Sequence, residues 1–232
     1  MQNQALRMAC GAFCTTPIIS LQVETCTLPL SYHRHELVIK TYLSLRNKPQ
    51  HINYYRTFFS PITHKNKNPP LGERSRRYLL DYEIEEEALK TMTARQTSQY
   101  LSQKLQAKFQ TYWNSQTSKK LYQLKPLIER WETSNRHSRK EECILCRVRI
   151  GHTQLTHQPF LQDQVAPKCD SCAEASLTVR HILNDCPKFQ DDRINVYGGS
   201  PFPVYETLVD SEEAVQQLFK YLQATQLYNK IA

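Results

Sequence analysis

Apolar residues in this chain recur mostly at intervals of three and four, the spacing that lines one face of a helix. Near the start, Ala5, Met8, Ala9 and Ala12 keep that spacing, Cys14 to Pro17 break it, and Leu37, Val38, Tyr42 and Leu45 resume it. Two helices across a turn are predicted. From His51 to Arg77 no period is present, and Pro61, Pro69 and Pro70 fall among basic residues, so the stretch reads as a basic linker. Residues 81–113 hold neither glycine nor proline and place Ile84, Leu89, Tyr100, Leu101, Leu105 and Phe109 at mostly helical intervals, as one long helix or two.

A further helix is predicted over 119–132, with Leu121, Leu124, Leu127, Ile128 and Trp131 on one side and Pro126 as a kink or a start. Lys140 to Ile150 repeats the pattern through Ile144, Leu145 and Val148, and Gly151 ends it as a residue free to adopt positive φ. Near the C-terminus, Asp210 or Ser211 caps a helix with Glu212 and Glu213 in its first turn and Val215, Leu218, Phe219 and Leu222 towards the core. Leu177 to Val179 is a short strand candidate. The fold class predicted is mainly α. Its parts are a helical segment over 1–47, a basic linker over 48–80, and a small helical domain over 81–232.

Composition narrows the function classes. The mean hydropathy is −0.61 and no window approaches the ~18 to 20 apolar residues of a membrane span. Five glycines in 232 residues leave little material for glycine-rich phosphate loops. The formal charge of +8 is concentrated, with 11 basic and 3 acidic residues over 1–80 and 9 and 4 over 119–160. Two basic blocks separated by near-neutral stretches suit a surface that tracks a phosphate backbone, although solvated helix faces give the same count. Arg136, Arg139, Lys140, Arg147 and Arg149, on or beside one predicted helix, are the expected phosphate contacts, to RNA or DNA without sequence preference. The N-terminus MQNQALRMACGAF lacks a long apolar run, so an intracellular, reducing location in nucleus or cytoplasm is expected.

In such a compartment, clustered cysteine and histidine point to metal. Cys169, Cys172, His181 and Cys186 follow a CxxC, eight residues, His, four residues, Cys pattern within 18 residues. Zinc takes four such ligands in a tetrahedron, and a CxxC turn supplies two thiolates from one bend. A short helix over Thr178 to Asp185 brings His181 and Cys186 to the same ion. A closed site of three thiolates and one imidazole leaves no position for a catalytic water, so the zinc expected is structural. A rival set pairs Cys143 and Cys146 with Cys169 and Cys172, but it places the first two on one helix face and strands His181 and Cys186. Cys10, Cys14 and Cys26 have no metal spacing and are expected to pack.

The run CILCRVRIGHTQLTHQPFLQDQVAPKCDSCAEASLTVRHILNDCPKFQDDR resembles the segment that follows the ribonuclease H domain in polyproteins of arthropod non-LTR retrotransposons of the jockey type. The residues carrying the likeness include Arg147, Arg149, Gly151, His152, Thr153, Thr156, His157, the four metal candidates, Pro187, Phe189 and Arg193. Ala173 stands where that family often has glycine after the second cysteine. Residues 2–47 are similar to a second stretch of the same polyproteins, the one after the reverse-transcriptase palm. The two stretches cover roughly half of the chain. They imply a fragment of a retroelement protein that binds nucleic acid.

Between them that family has a ribonuclease H domain, whose two-metal chemistry needs separated carboxylates on strands and helices. Here the gap carries only the run Asp81, Glu83, Glu85, Glu86 and Glu87, which reads as a charged helix face. Phe189, Gln190, Asp191 and Asp192 likewise lack the flanking apolar strands of a polymerase turn. His152 and His157 have no acidic partner nearby and are expected to hydrogen-bond within a tight turn. The chain is therefore expected to be non-catalytic, a nucleic-acid-binding remnant with a structural zinc. The alternative is a zinc-stabilised helical surface for protein partners.

Overall fold

The structure is a computed structural model describing residues 1–46, 48–54, 69–161, 168–172, 176–199, 205 and 211–231, with backbone alone for 158–161. Among the described residues it is mainly helical and contains no strand, in agreement with the fold class predicted. None of these helices is long and apolar enough to cross a membrane. The chain forms two compact units, one of residues 28–112 and one combining 1–27 with 113–232. This division cuts across the three linear segments expected from sequence.

The unit of residues 28–112 is built on α3 (Leu30–Arg46), α4 (Leu71–Asp81), α5 (Glu86–Lys90) and most of α6 (Ala94–Asn114). Its core joins Ile39 and Tyr42 of α3, Leu79 of α4, Tyr82 and Ile84 beyond it, and Leu89, Leu101 and Leu105. The His35 ring stacks on Tyr78 at 4.0 Å, and its Nδ1 lies 2.6 Å from the Tyr82 hydroxyl. Helix α4 occupies part of the expected linker 48–80. Gly72, Ser75 and Leu79 are buried along it, and its Arg74, Arg76 and Arg77 give the stretch the look of a basic linker. Residues 55–68 of that linker lie outside the described residues.

Residues 81–113 form two helices, not one. The break falls at Thr93, whose hydroxyl accepts from the Gln96 N–H (3.3 Å) while Gln96 Oε1 accepts from the Thr93 N–H (2.9 Å). This reciprocal cap starts α6 by satisfying two otherwise orphaned donors.

The other unit opens with α1 (Gln2–Cys10) and α2 (Ile18–Glu24) and continues through α7 (Lys120–Leu124), α8 (Arg139–Ile150) and α9 (Gln154–Leu161). It ends with α10 (Gln190–Tyr197), α11 (Glu212–Ala224) and α12 (Tyr228–Ile231). Ile144, Leu145 and Val148 of α8 pack with Val179, Ile182 and Leu183 and with Val215, Leu218, Tyr221 and Leu222 of α11. Gly151 ends α8 at φ 79°, and Ser211 caps α11 by accepting from the Ala214 N–H at 3.1 Å, both as predicted. Ser138, at φ −121°, accepts from the Glu141 N–H and starts α8.

The helix predicted over 119–132 is much shorter. Pro126 disfavours helical backbone at Lys125, which stands at φ −136°, ψ 74°, and Leu127 beyond it is 55% exposed. Leu177 to Val179 is not a strand: an isolated bridge joins Lys168 to Ser176, and a helical turn begins at Val179.

Candidate metal centre and its surroundings

Cys169 and Cys172 sit on a tight turn in which the Cys172 N–H donates to the Cys169 carbonyl at 3.2 Å. His181 opens a widened helical turn, His181–Asp185, and Cys186 leaves it in extended conformation, its N–H bonded to the His181 carbonyl at 2.8 Å. The Thr178 hydroxyl accepts from the His181 N–H at 3.0 Å and so fixes the start of that turn. The widened turn inserts one residue relative to an α-helix. That insertion brings residues five apart to one side.

The four ligand atoms all lie within 4.8 Å of one another. Cys169 Sγ and Cys186 Sγ are 3.6 Å apart, matching the roughly 3.3 to 3.8 Å between ligands held 2.0 to 2.3 Å from a tetrahedral centre. Cys169, His181 and Cys186 are buried, and the buried His181 Nε2 has no hydrogen-bond partner. A metal ion held by the cluster would satisfy an imidazole nitrogen that lacks a hydrogen-bond partner. Burial opposes ionisation of Cys169, but the Ser171 and Cys172 N–H groups and the His181 ring outweigh it and hold the thiol at about 6. Cys172 is pushed up to about 11 by desolvation and by the neighbouring sulfurs. The cluster is one that can hold a metal ion.

Arg193 secures the exit from this turn. It is buried, and its Nη2 donates to the Cys186 carbonyl at 2.6 Å. Tyr221 of α11 donates its hydroxyl to the Ile182 carbonyl at 2.8 Å, tying the widened turn to the core. Arg193 is one of the residues that carry the family resemblance, without an expected role, whereas Tyr221 was missed because it belongs to no ligand pattern.

The rival cysteine set is not assembled. Cys143 packs against Gly11, where an added Cβ would lie 2.4 Å from its Sγ, and Cys146 is buried in a thiol hydrogen bond with Cys10. Cys14 and Cys26 are exposed, so the packing role expected of them is corrected.

The five expected phosphate contacts are engaged within the protein. Arg149 is 1% exposed, with Nη1 3.1 Å from Glu24 Oε1 and 3.0 Å from Ser134 Oγ, and Nη2 2.7 Å from Thr133 Oγ1. Its guanidinium lies 4.2 Å from the Trp131 ring centre, and Trp131 in turn donates to Glu24 Oε2 at 2.7 Å. Lys125 donates to the Val23 carbonyl from the other side, and burial holds its ammonium down to about 8. Arg149 is therefore a core cation, and its assignment to a phosphate is corrected.

Arg147 donates to the carbonyls of Gly11 (2.8 Å) and Ile231 (3.1 Å) and lies over the Phe13 ring. Arg139 donates to the carbonyls of Met8 and Ala9, and Arg136 forms a two-pronged pair with Glu212, one bond at 2.6 Å. Lys140 donates to Asn229 at 2.6 Å and covers Tyr228. Arg139, Arg147 and Arg149 thus bind the first 27 residues to α8, which is why that segment belongs with 113–232. Their spacing suggested a nucleic-acid surface because it cannot distinguish a solvent-facing cation from one facing backbone carbonyls.

His152 and His157 stack at 4.0 Å, and His157 Nε2 lies 2.6 Å from Thr15 Oγ1. The turn itself is held by Thr153 and Thr156, each hydroxyl accepting from the other residue's N–H, at 3.3 and 3.1 Å. Burial, aided by His157, Lys120 and Lys119, lowers His152 to about 4. Of the acidic run expected to be a helix face, Glu86 pairs with Arg46 and accepts from Tyr42 at 2.9 Å, and Glu87 pairs with Lys90.

Comparison with known protein families, with curated proteins and with solved structures finds no match for this chain.

Proposed function

We propose that this chain is a non-catalytic module of retroelement descent in which zinc clips the unit of 1–27 and 113–232, while nucleic acid is held by residues 28–112. The carrying observation is how charge divides. Residues 28–112 contain 14 Lys and Arg against 7 Asp and Glu, and the other unit contains 16 against 15. Arg34, Arg76, Arg77, Arg95 and Lys108 of the basic unit are exposed. An excess of exposed cations binds phosphates without reading bases.

Zinc is favoured as the metal by the donor set. Three thiolates with one imidazole suit a soft, tetrahedral ion, and the closed set supplies stability and not reactivity. A non-catalytic reading is supported by Glu86 and Glu87, which are committed to Arg46 and Lys90 and do not gather around a common point.

Binding of a labelled duplex by the zinc-loaded chain at two salt concentrations tests the reading. The observed constant should fall steeply with salt, with a slope near −0.9 per phosphate contact. A salt-independent constant, or no binding at low salt, rejects it in favour of a protein-binding module, the reading that the internally tied arginines of α8 favour.

A further inference from the structure

The basic unit contains a cavity of about 760 Å³ between α3, α5 and the start of α6. Ligand-sized pockets run from roughly 300 to 1,000 Å³. Its apolar lining comes from Leu43, Leu89, Met92 and Ala94. Lys40, Arg46 and Lys90 also line it, each paired with a carboxylate, Glu36, Glu86 and Glu87 respectively, of which only Glu86 is part of the wall. Glu86 is already paired with Arg46, and Lys40 is held by Glu36 at 2.7 Å and by the Ser98 hydroxyl at 2.8 Å. Hydroxyls of Ser44, Thr97 and Ser98 complete the wall.

This combination selects a chemical class. A fatty acid needs a closed, apolar channel, and this cavity is open to solvent and mixes apolar side chains with hydroxyls and cations. A free phosphate needs no apolar surface at all. A nucleotide has a flat, largely apolar base face, hydrogen-bonding edges and a phosphate, and each finds its complement here. Met92 and the two leucines can cover a base, the hydroxyls can meet its edge, and Lys40 and Lys90 can meet the phosphate by exchanging Glu36 and Glu87 for it.

We propose that this cavity seats one unstacked nucleotide of a bound single strand. The proposal rests on the nucleic-acid reading above and adds a base-dependent contribution to it. A duplex keeps its bases stacked inside and cannot use the seat.

The test compares a labelled oligothymidylate of about 12 nucleotides with its abasic counterpart, which keeps the phosphates and lacks the bases. The full zinc-loaded chain should bind the oligothymidylate about 5-fold more tightly, the effect of burying roughly 40 Å² of base face. Ala94→Trp, at an exposed position on the cavity wall, should abolish that preference and leave duplex binding unchanged. Lys40→Gln with Lys90→Gln should reduce the single-strand salt slope by about 1.4, at roughly 0.7 per contact. Equal binding of the two strands by the unmodified chain, with duplex binding intact, overturns the seat alone. Failure of all three ligands to bind at low salt overturns the nucleic-acid reading and the seat together.

Discussion

The arginines of α8 and the exposed cations of residues 28–112 serve in opposite ways. In the unit of 1–27 and 113–232, Arg139, Arg147 and Arg149 of α8 are turned to the carbonyls of Met8, Ala9, Gly11 and Ile231 and to the buried carboxylate of Glu24. In the unit of 28–112, several cations face solvent and the core is made by Ile39, Tyr42, Leu79, Leu101 and their neighbours. Around α8 positive charge serves as fastening, whereas residues 28–112 carry an excess of cations over carboxylates, several of them exposed. Segment charge alone therefore misjudges which cations are available to a partner, because a guanidinium with five donors serves equally well as a backbone clamp.

The contrast is broken most directly at its buried pair. Glu24→Gln leaves Arg149 charged, buried and without its counter-ion, and breaking such pairs costs about 3 to 5 kcal/mol. Thermal unfolding should show a large loss in the unit containing 113–232, and an unchanged melting temperature would mean that the pair does not fasten it. Treatment with a metal chelator, or Cys186→Ser, should come next. Helical signal and amide protection should fall around 179–197, while protection in α3 and α6 persists. Uniform protection with and without chelator would refute a structural metal.

A smaller effect separates the two classes of cation in binding. Arg77→Gln, Arg95→Gln and Lys108→Gln together should weaken duplex binding and flatten its salt slope by up to about 2.7, at 0.9 per contact. Arg136→Gln and Arg139→Gln should leave that slope untouched. The reverse outcome would move the binding surface to the α8 unit.

The smallest expected effect is a pH dependence. His152 is held at about 4 in the fold, whereas an unperturbed imidazole titrates near 6.5. On acidification the unfolded chain takes up the proton first, so this contribution to stability is complete above about 6.5 and declines towards pH 4. Urea midpoints measured across that window should fall less in His152→Phe than in the unmodified chain.

Helices α8 and α11 were legible from sequence because their signals are local, whereas α9 and α10 were not predicted. Gly151, the Ser211 cap and the apolar positions of α11 each act within one turn. The metal cluster was legible for a related reason: its ligands span only 18 residues, so spacing nearly determines geometry. Helix α4 was not legible, because Gly72 and Ser75 occupy buried positions that a hydrophobic pattern cannot register. Nor was the fate of Arg149, whose partner Glu24 lies 125 residues away in sequence. Pairings at that separation leave no period to read.

The division of the chain also sets an order of events during synthesis. Residues 1–27 emerge first, yet α8, which their carbonyls and Glu24 engage, lies beyond residue 138. At about 5 to 20 residues per second, more than 110 intervening residues correspond to a delay of roughly 6 to 22 seconds. The basic unit, continuous from 28 to 112, is complete well within that interval. Leu6, Cys10, Leu21 and Val23 therefore stay unburied on the ribosome while the inserted unit folds. For this protein the aggregation-sensitive period is the wait of the N-terminal helices for their arginine clamps.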